Sequence, residues 1–186
     1  PDGYTLFQAS STHAANVSLY RNLAYDLVRD FTPVTQLASS PSIVVVHPSL
    51  PVKTIAALVK LAKARPGAIN YGSTGTGSAT WVAGELFKGM GSVNLQHVPY
   101  RGGGEALTAV VAGEVSVYFA PFAVALPMVK EGKVIALAVS TARRSAVLPE
   151  LPTIAEAGVA GYRWETWFGL LAPARTPRPL IMKLNA

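Results

Sequence analysis

The chain has no cysteine, so a disulfide framework, thiol catalysis and cysteine-bound zinc are all excluded. Its three histidines, His13, His47 and His97, stand in no metal-ligand spacing, and no H-E-x-x-H pair occurs. No serine sits in a G-x-S-x-G elbow, the turn that exposes a nucleophile in hydrolases. Charge is scarce, at 14% of residues. The carboxylates are scattered: Asp26 and Asp30 flank Arg29 on what reads as a solvated helix face, and Glu105 and Glu114 bracket another helix. Paired acid and base chemistry is therefore not indicated. Long apolar runs are missing too. Ile43 to Val46 and Val134 to Val139 are far below the roughly 18 residues that a bilayer span needs.

What remains is a chain of 186 residues, half of them hydrophobic. A chain of this length buries roughly 70% of its unfolded surface and needs no staple. Sixteen Lys and Arg against ten Asp and Glu give a net charge of +6. That balance favours anionic partners, but the cations are spread along the chain, and nothing marks a nucleic-acid face. Trp164, Trp167 and Phe168 cluster near Glu165 without the interleaved cations of a base-stacking platform, and read as core or hinge packing. Asp2-Gly3 is turn chemistry leading directly into the strand-like Tyr4 to Phe7, with no signal-peptide pattern in front. Pro179 to Asn185 reads as the opening turns of an amphipathic helix. Both ends read as cuts through something longer.

From residue 42 onward apolar runs alternate with helical patterns, which predicts a parallel sheet covered by crossover helices. The expected strands are Ser42 to His47, Ala68 to Gly72, Asn94 to Pro99, Val115 to Phe119 and Val134 to Val139. The helices between them run from Thr54 to Ala64, Ser78 to Lys88 with Gly89 as its stop, Glu105 to Ala112, and Pro121 to Lys130. The segments before residue 36 and after 163 do not complete that sheet. Each offers one strand, Tyr4 to Ala9 and Trp167 to Leu171, and they predict a second lobe. Pro33 to Ser42 and Arg143 to Gly161 are then the crossings between lobes.

In such a sheet, ligands sit beyond the carboxyl ends of strands, where unpaired amides point outward. Gly72 to Ser78 places three glycines, four hydroxyls and a helix N-terminus at one such end. The loop lacks the lysine of a Walker nucleotide site and the spacing of a Rossmann site. By its residues alone it is either an anion cradle or a tight turn before a capped helix. Tyr100 to Gly104 sits at the equivalent place one unit later, with a phenol, a guanidinium and further amides. The polar, small segment Ser10 to Asn16 follows the first strand and offers a third set of donors.

The segments Pro1 to Leu6, Tyr20 to Tyr25 with Phe31 to Val34, Tyr71 to Ser78, Ala83 to Phe87, Pro99 to Gly103, Leu148 to Gly158 and Trp167 to Leu170 together resemble the Bug receptors. These are periplasmic solute-binding proteins of tripartite tricarboxylate transporters, and the resemblance covers essentially the whole chain. It implies an α/β fold of the type II periplasmic-binding-protein kind, two-lobed like a Venus flytrap. The chain would be a fragment with an essentially complete second lobe and a partial first lobe. The expected boundaries are 1–35 in lobe 1, 36–155 in lobe 2, and 156–186 returning to a truncated lobe 1. The implied function is capture of a small carboxylate, whether amino acid, dicarboxylate, tricarboxylate or aromatic acid, for delivery to membrane permease subunits. No catalysis, cofactor, metal or nucleic acid is implied.

The resemblance places the second-lobe ligand turn at Ser73, Thr74, Gly75, Thr76, Gly77 and Ser78, and the expected ligand-binding set adds Tyr100 from the neighbouring loop and Ser11, Thr12 and His13 from the polar segment after the first strand. The family's other first-lobe loop has no counterpart here, so the fragment alone is expected to hold carboxylates poorly. Trp81 stands where relatives often have histidine, and Ser116 and Ala120 where many have acidic residues, which leaves the particular acid open. An effector-sensing domain of a transcription regulator shares the same fold and is the alternative.

Overall fold

The computed structural model describes residues 2–186. In chain order the elements are β1 (Phe7–Ser10), α1 (Ser11–Leu19), β2 (Phe31–Val46), α2 (Ile55–Ala64), β3 (Asn70–Ser73), α3 (Ala79–Gly91) and β4 (Gln96–Pro99). They continue with α4 (Gly103–Ala112), β5 (Val117–Pro121), α5 (Phe122–Lys130), β6 (Ile135–Val139), β7 (Glu165–Pro173) and α6 (Arg178–Asn185). Contacts divide the chain into two compact units, one of residues up to Ser40 with Thr166–Ala186, the other Pro41–Glu165.

The larger unit is built on a mixed sheet. β3 runs parallel to both β4 and β5, whereas the last part of β2 is antiparallel to β5 and to β6. The parallel sheet expected from the alternation of runs is thus corrected. Strands covered on both faces are continuously apolar whichever way their neighbours run, so direction is not written in the pattern. The pleat sends alternate residues to opposite cores. Val44, Val46, Tyr71, Val117 and Phe119 join Ile55 and Leu58 of α2 and Ala83 and Phe87 of α3. Ile43, Val45, Tyr118 and Ala120 join Ala106, Leu107 and Val110 of α4 and Phe122 and Ala125 of α5. Two helical layers enclosing one sheet bury the central strands on both faces, the usual three-layer solution for α/β chains.

Local chemistry fixes the elements. Thr54 caps α2, its hydroxyl accepting the Ala57 N–H at 3.1 Å. Gly84 lets α3 lie directly on Tyr71, since a β-carbon there would come within 2.3 Å of the ring. Helix α3 runs past Gly89, its expected stop, to Gly91, and the left-handed residue that ends it is Ser92 at φ 51°. Between β3 and β5 only two residue pairs align, Tyr71 with Val117 and Gly72 with Tyr118. The Asn70 side chain extends that pairing, donating to the Glu114 carbonyl at 3.0 Å and accepting the Ser116 N–H at 2.7 Å. Buried Ser140 accepts the Ser42 N–H at 2.8 Å and donates to the Trp164 carbonyl at 2.6 Å.

In the smaller unit β1 pairs antiparallel with β7, Phe7 opposite Leu171 through Ser10 opposite Phe168. Helix α6 sets Ile181 against Val34 and Ala172, and its Asn185 side chain donates to the Val34 carbonyl. Phe7, Tyr25 and Phe31 form an aromatic cluster with His13 edge-on to Phe7 at 5.0 Å. Phe31 to Ser42 is strand throughout, proline notwithstanding, because proline's φ suits extended backbone and an N–H outside the ladder is not missed; the chain passes from one unit to the other within it, at Ser40 to Pro41. One expectation is corrected here. Asp26 to Asp30 is a turn rather than a helix face: the Asp26 carboxylate accepts the Val28 and Arg29 N–H groups, and Asp30 accepts the Asp26 N–H. Short acidic side chains compete with helical bonding in this way. The segment Ser11 to Leu19, read only as polar, is helix α1.

Candidate functional site

Strand β3 ends at Ser73, and helix α3 begins six residues later, so the loop must reverse within a few residues. Gly75 and Gly77 do this with φ of +105° and +80°, values a side chain tolerates poorly. Hydroxyls then fasten the loop. Ser73 Oγ accepts the Gly75 N–H at 3.0 Å, and Thr80 Oγ1 accepts the Thr74 N–H at 2.9 Å and lies 3.1 Å from both Thr74 Oγ1 and Ser78 Oγ. Ser78 caps α3, accepting the Trp81 N–H at 3.2 Å, and its own N–H donates to the Gly75 carbonyl at 3.2 Å.

The amides of Thr76, Gly77, Ala79 and Thr80 take no acceptor among the described residues. Two of these donors, Ala79 and Thr80, open a helix of 13 residues and the other two lie in the loop just before its cap; with no acidic side chain in the first turn, the dipole's positive end is left uncompensated. Thr76 is exposed at the loop's tip, while Ser73 and Thr80 are buried at its base. Chemically the arrangement offers neutral donors to an anion.

Tyr100 stands beside the loop. Its N–H donates to the Ser73 carbonyl at 2.8 Å, and its ring would lie 3.5 Å from a β-carbon at Gly72. Burial, with smaller contributions from Glu114 and Glu105, pushes its phenol above the ordinary value, so it remains a donor. Arg101 is exposed, and its N–H donates to Glu105 at 2.9 Å. Ser73 to Ser78 and Tyr100 are therefore brought together.

Ser11, Thr12 and His13 occupy the first turn of α1 in the smaller unit. His13 Nδ1 accepts the Ser10 N–H at 3.1 Å, so the imidazole is occupied in capping its own helix. Ser11 Oγ is buried without a partner, and Thr12 Oγ1 accepts from Ser10 Oγ at 3.1 Å.

Sequence reasoning missed two residues of the loop's support, Thr80 and His97. His97 Nε2 lies 2.6 Å from Ser73 Oγ. The parallel register sets His97 opposite Tyr71 and two residues short of Ser73's own partner, Pro99, a signal visible once β3 and β4 are known to be adjacent. Other concavities lie away from the loop, one lined by Tyr20 to Arg29 in the smaller unit and one by Thr141 to Ser145 with Arg163 in the larger.

Comparison with known proteins bears on this geometry. The family model described as tripartite tricarboxylate transporter family receptor matches residues 1–186. The UPF0065 protein in the tcbD-tcbE intergenic region of Pseudomonas sp. strain P51 is 36% identical over 186 residues, which is 100% of this chain and 55% of that protein. Among solved structures, a protein of R. palustris with adipate superposes with a TM-score of 0.85 at 39% identity, covering 99% of this chain and 62% of that one. MatC from Rhodopseudomonas palustris with bound malate gives a TM-score of 0.84 at 35% identity, covering 100% and 63%. The α/β class and the family resemblance expected from the sequence therefore hold. The chain spans about half the length of the curated relatives it matches.

Proposed function

The chain belongs to the tripartite tricarboxylate transporter receptor family, and from that premise we propose that it is part of an extracytoplasmic solute receptor whose loop Ser73–Ser78 holds a small carboxylate. The observation that carries the reading is the set of four unpaired amides in the loop and first turn of α3, framed by hydroxyls, with no acidic residue in that first turn. Tyr100 supplies a phenol at the rim. In this reading the protein turns nothing over. It binds in the periplasm and hands its solute to the membrane permease subunits. Relatives solved with adipate and with malate support a dicarboxylate as the first class to try.

Charge-assisted hydrogen bonds contribute about 1.5 to 3 kcal/mol each, and a micromolar receptor needs about 8 kcal/mol net. Several of the four amides must therefore act together. A thermal-shift screen of carboxylic acids on the full-length protein tests the reading, because a ligand bound only by the folded state raises Tm. Thr76→Glu sets a like charge at the loop's tip and should abolish the shift given by malate or adipate. A shift that survives Thr76→Glu undiminished refutes the placement of the anion.

A further inference from the structure

His97 lies in β4 with its ring tilted against Tyr71 at 5.2 Å and edge-on to Trp81 at 6.5 Å. Its Nε2 meets Ser73 Oγ at 2.6 Å, and that oxygen also accepts the Gly75 N–H at 3.0 Å and lies 3.3 Å from the Gly75 carbonyl. A hydroxyl has one proton to give. A separation of 2.6 Å is usual for a hydroxyl donor and short for a ring N–H, while 3.3 Å is long for a hydroxyl bonded to a carbonyl. These distances favour placing the proton in the bond toward His97, with the neutral ring's own proton on Nδ1. If the imidazole gains a proton at Nε2, it becomes the donor, and Ser73 must turn its proton to the Gly75 carbonyl. Both states keep the Ser73 hydroxyl bonded, and they differ at the residue with φ +105° that shapes the loop.

We propose that His97 is a positioning residue of the Ser73–Ser78 loop, and that its protonation re-directs the Ser73 hydroxyl to the Gly75 carbonyl and strengthens the loop's hold on an anion. The second part rests on the carboxylate reading above; the first does not. The charged groups facing His97 are those of α3. Glu85 and Lys88 pair with each other at 2.8 Å, and Glu85 also accepts the Tyr71 hydroxyl at 2.6 Å from β3. Tyr71 stays neutral, held up by burial first and by Glu85. Burial holds His97 below its ordinary value, with Glu85 opposing and Lys88 assisting. The ring is thus mostly neutral at pH 7 and gains its proton at a lower pH than a free imidazole does. An anion on the loop favours the imidazolium, so affinity must rise as pH falls through the pKa of His97.

The test is nuclear magnetic resonance of the full-length protein from pH 8 to 5, without ligand and with malate. The neutral ring should show the Nδ1–H tautomer. The Gly75 amide should titrate with the His97 ring in the free protein and stand still in His97→Gln, which keeps a hydrogen-bonding group but cannot change charge. His97→Leu should broaden or displace the loop amides at every pH. Malate should raise the His97 pKa by about half a unit to one unit, with Kd, corrected for malate's own ionisation, falling roughly three- to tenfold. An Nε2–H tautomer in the neutral ring, or a Gly75 amide indifferent to His97 protonation, overturns the switch. Binding whose corrected Kd is flat with pH overturns the effect on affinity. If no carboxylate binds at any pH, the receptor reading fails, while the Gly75 titration in the free protein still decides the positioning role.

Discussion

Replacing Gly84 by alanine should damage the protein far more than a single methyl group suggests. The new β-carbon would lie 2.3, 2.8 and 2.9 Å from Cε2, Cδ2 and Cζ of Tyr71, where about 3.5 to 4 Å is the comfortable carbon separation. The ring must retreat by more than 1 Å or so. It is fully buried, packed against His97 and Phe119, and tied to Glu85 through its hydroxyl. Overpacking of this depth costs about 3 kcal/mol, and the better helix propensity of alanine returns about 1 kcal/mol. The net loss of roughly 2 kcal/mol lowers Tm by about 4 to 8 °C in a chain of this size. Gly89→Ala is the matched control, in the same helix but with open space around its β-carbon. It should gain up to about 1 kcal/mol. Thermal and urea unfolding of the two variants beside the wild type decide the matter. A Gly84→Ala protein that melts at or above the wild-type temperature refutes the close contact between α3 and β3.

Thr54→Ala removes the cap of α2 and should cost about 1 kcal/mol, measured by urea titration; Thr54→Ser should restore most of it. Leu58→Ala opens a hole in the core between α2 and the sheet, where Leu58 is fully buried, and should cost about 2 to 5 kcal/mol by the same measurement. The carboxyl of Asp30, held by the Arg29 side chain and by the Asp26 N–H, is lowered to about 2. Its folded value lies below the unfolded one, so its contribution to stability is present above about pH 4 and fades as pH falls toward 2. Carbon-detected resonance of the side chain reads that value directly, and Arg29→Ala should move it back toward the ordinary carboxylate range.

The strand-loop-helix repeats of the larger unit were legible because each combines an apolar run with a punctuating residue. Thr54 and Ser78 marked where their helices open, and the glycines of Gly72 to Ser78 marked the loop. Strand direction was not legible. Val44 to Val46 are buried on both faces, and a run without alternation says nothing about whether its neighbour is parallel. Helix α1 was hidden for another reason. Its residues, Ser11 to Leu19, are mostly small or polar and make no apolar stripe, with Ser11 alone buried. Of the loop, the tip could be read in one dimension. Its base could not, because Thr80 and His97 act across a helix turn and a strand pairing.

Asn70 has a consequence for how the larger unit finds its alignment. With two aligned residue pairs between β3 and β5, the backbone alone holds little against slippage. A slip by one residue would turn Tyr71 toward the layer of α4 and α5 and empty its place beside Phe87. The Asn70 amide, giving to one backbone group and taking from the other, counterfeits an additional rung that fits a single setting. Aspartate has no hydrogen to give and leucine has neither function, so neither could replace it. A lone carboxamide thus acts as the detent of the sheet, and every element downstream, the glycine-shaped tip included, inherits its position from that click.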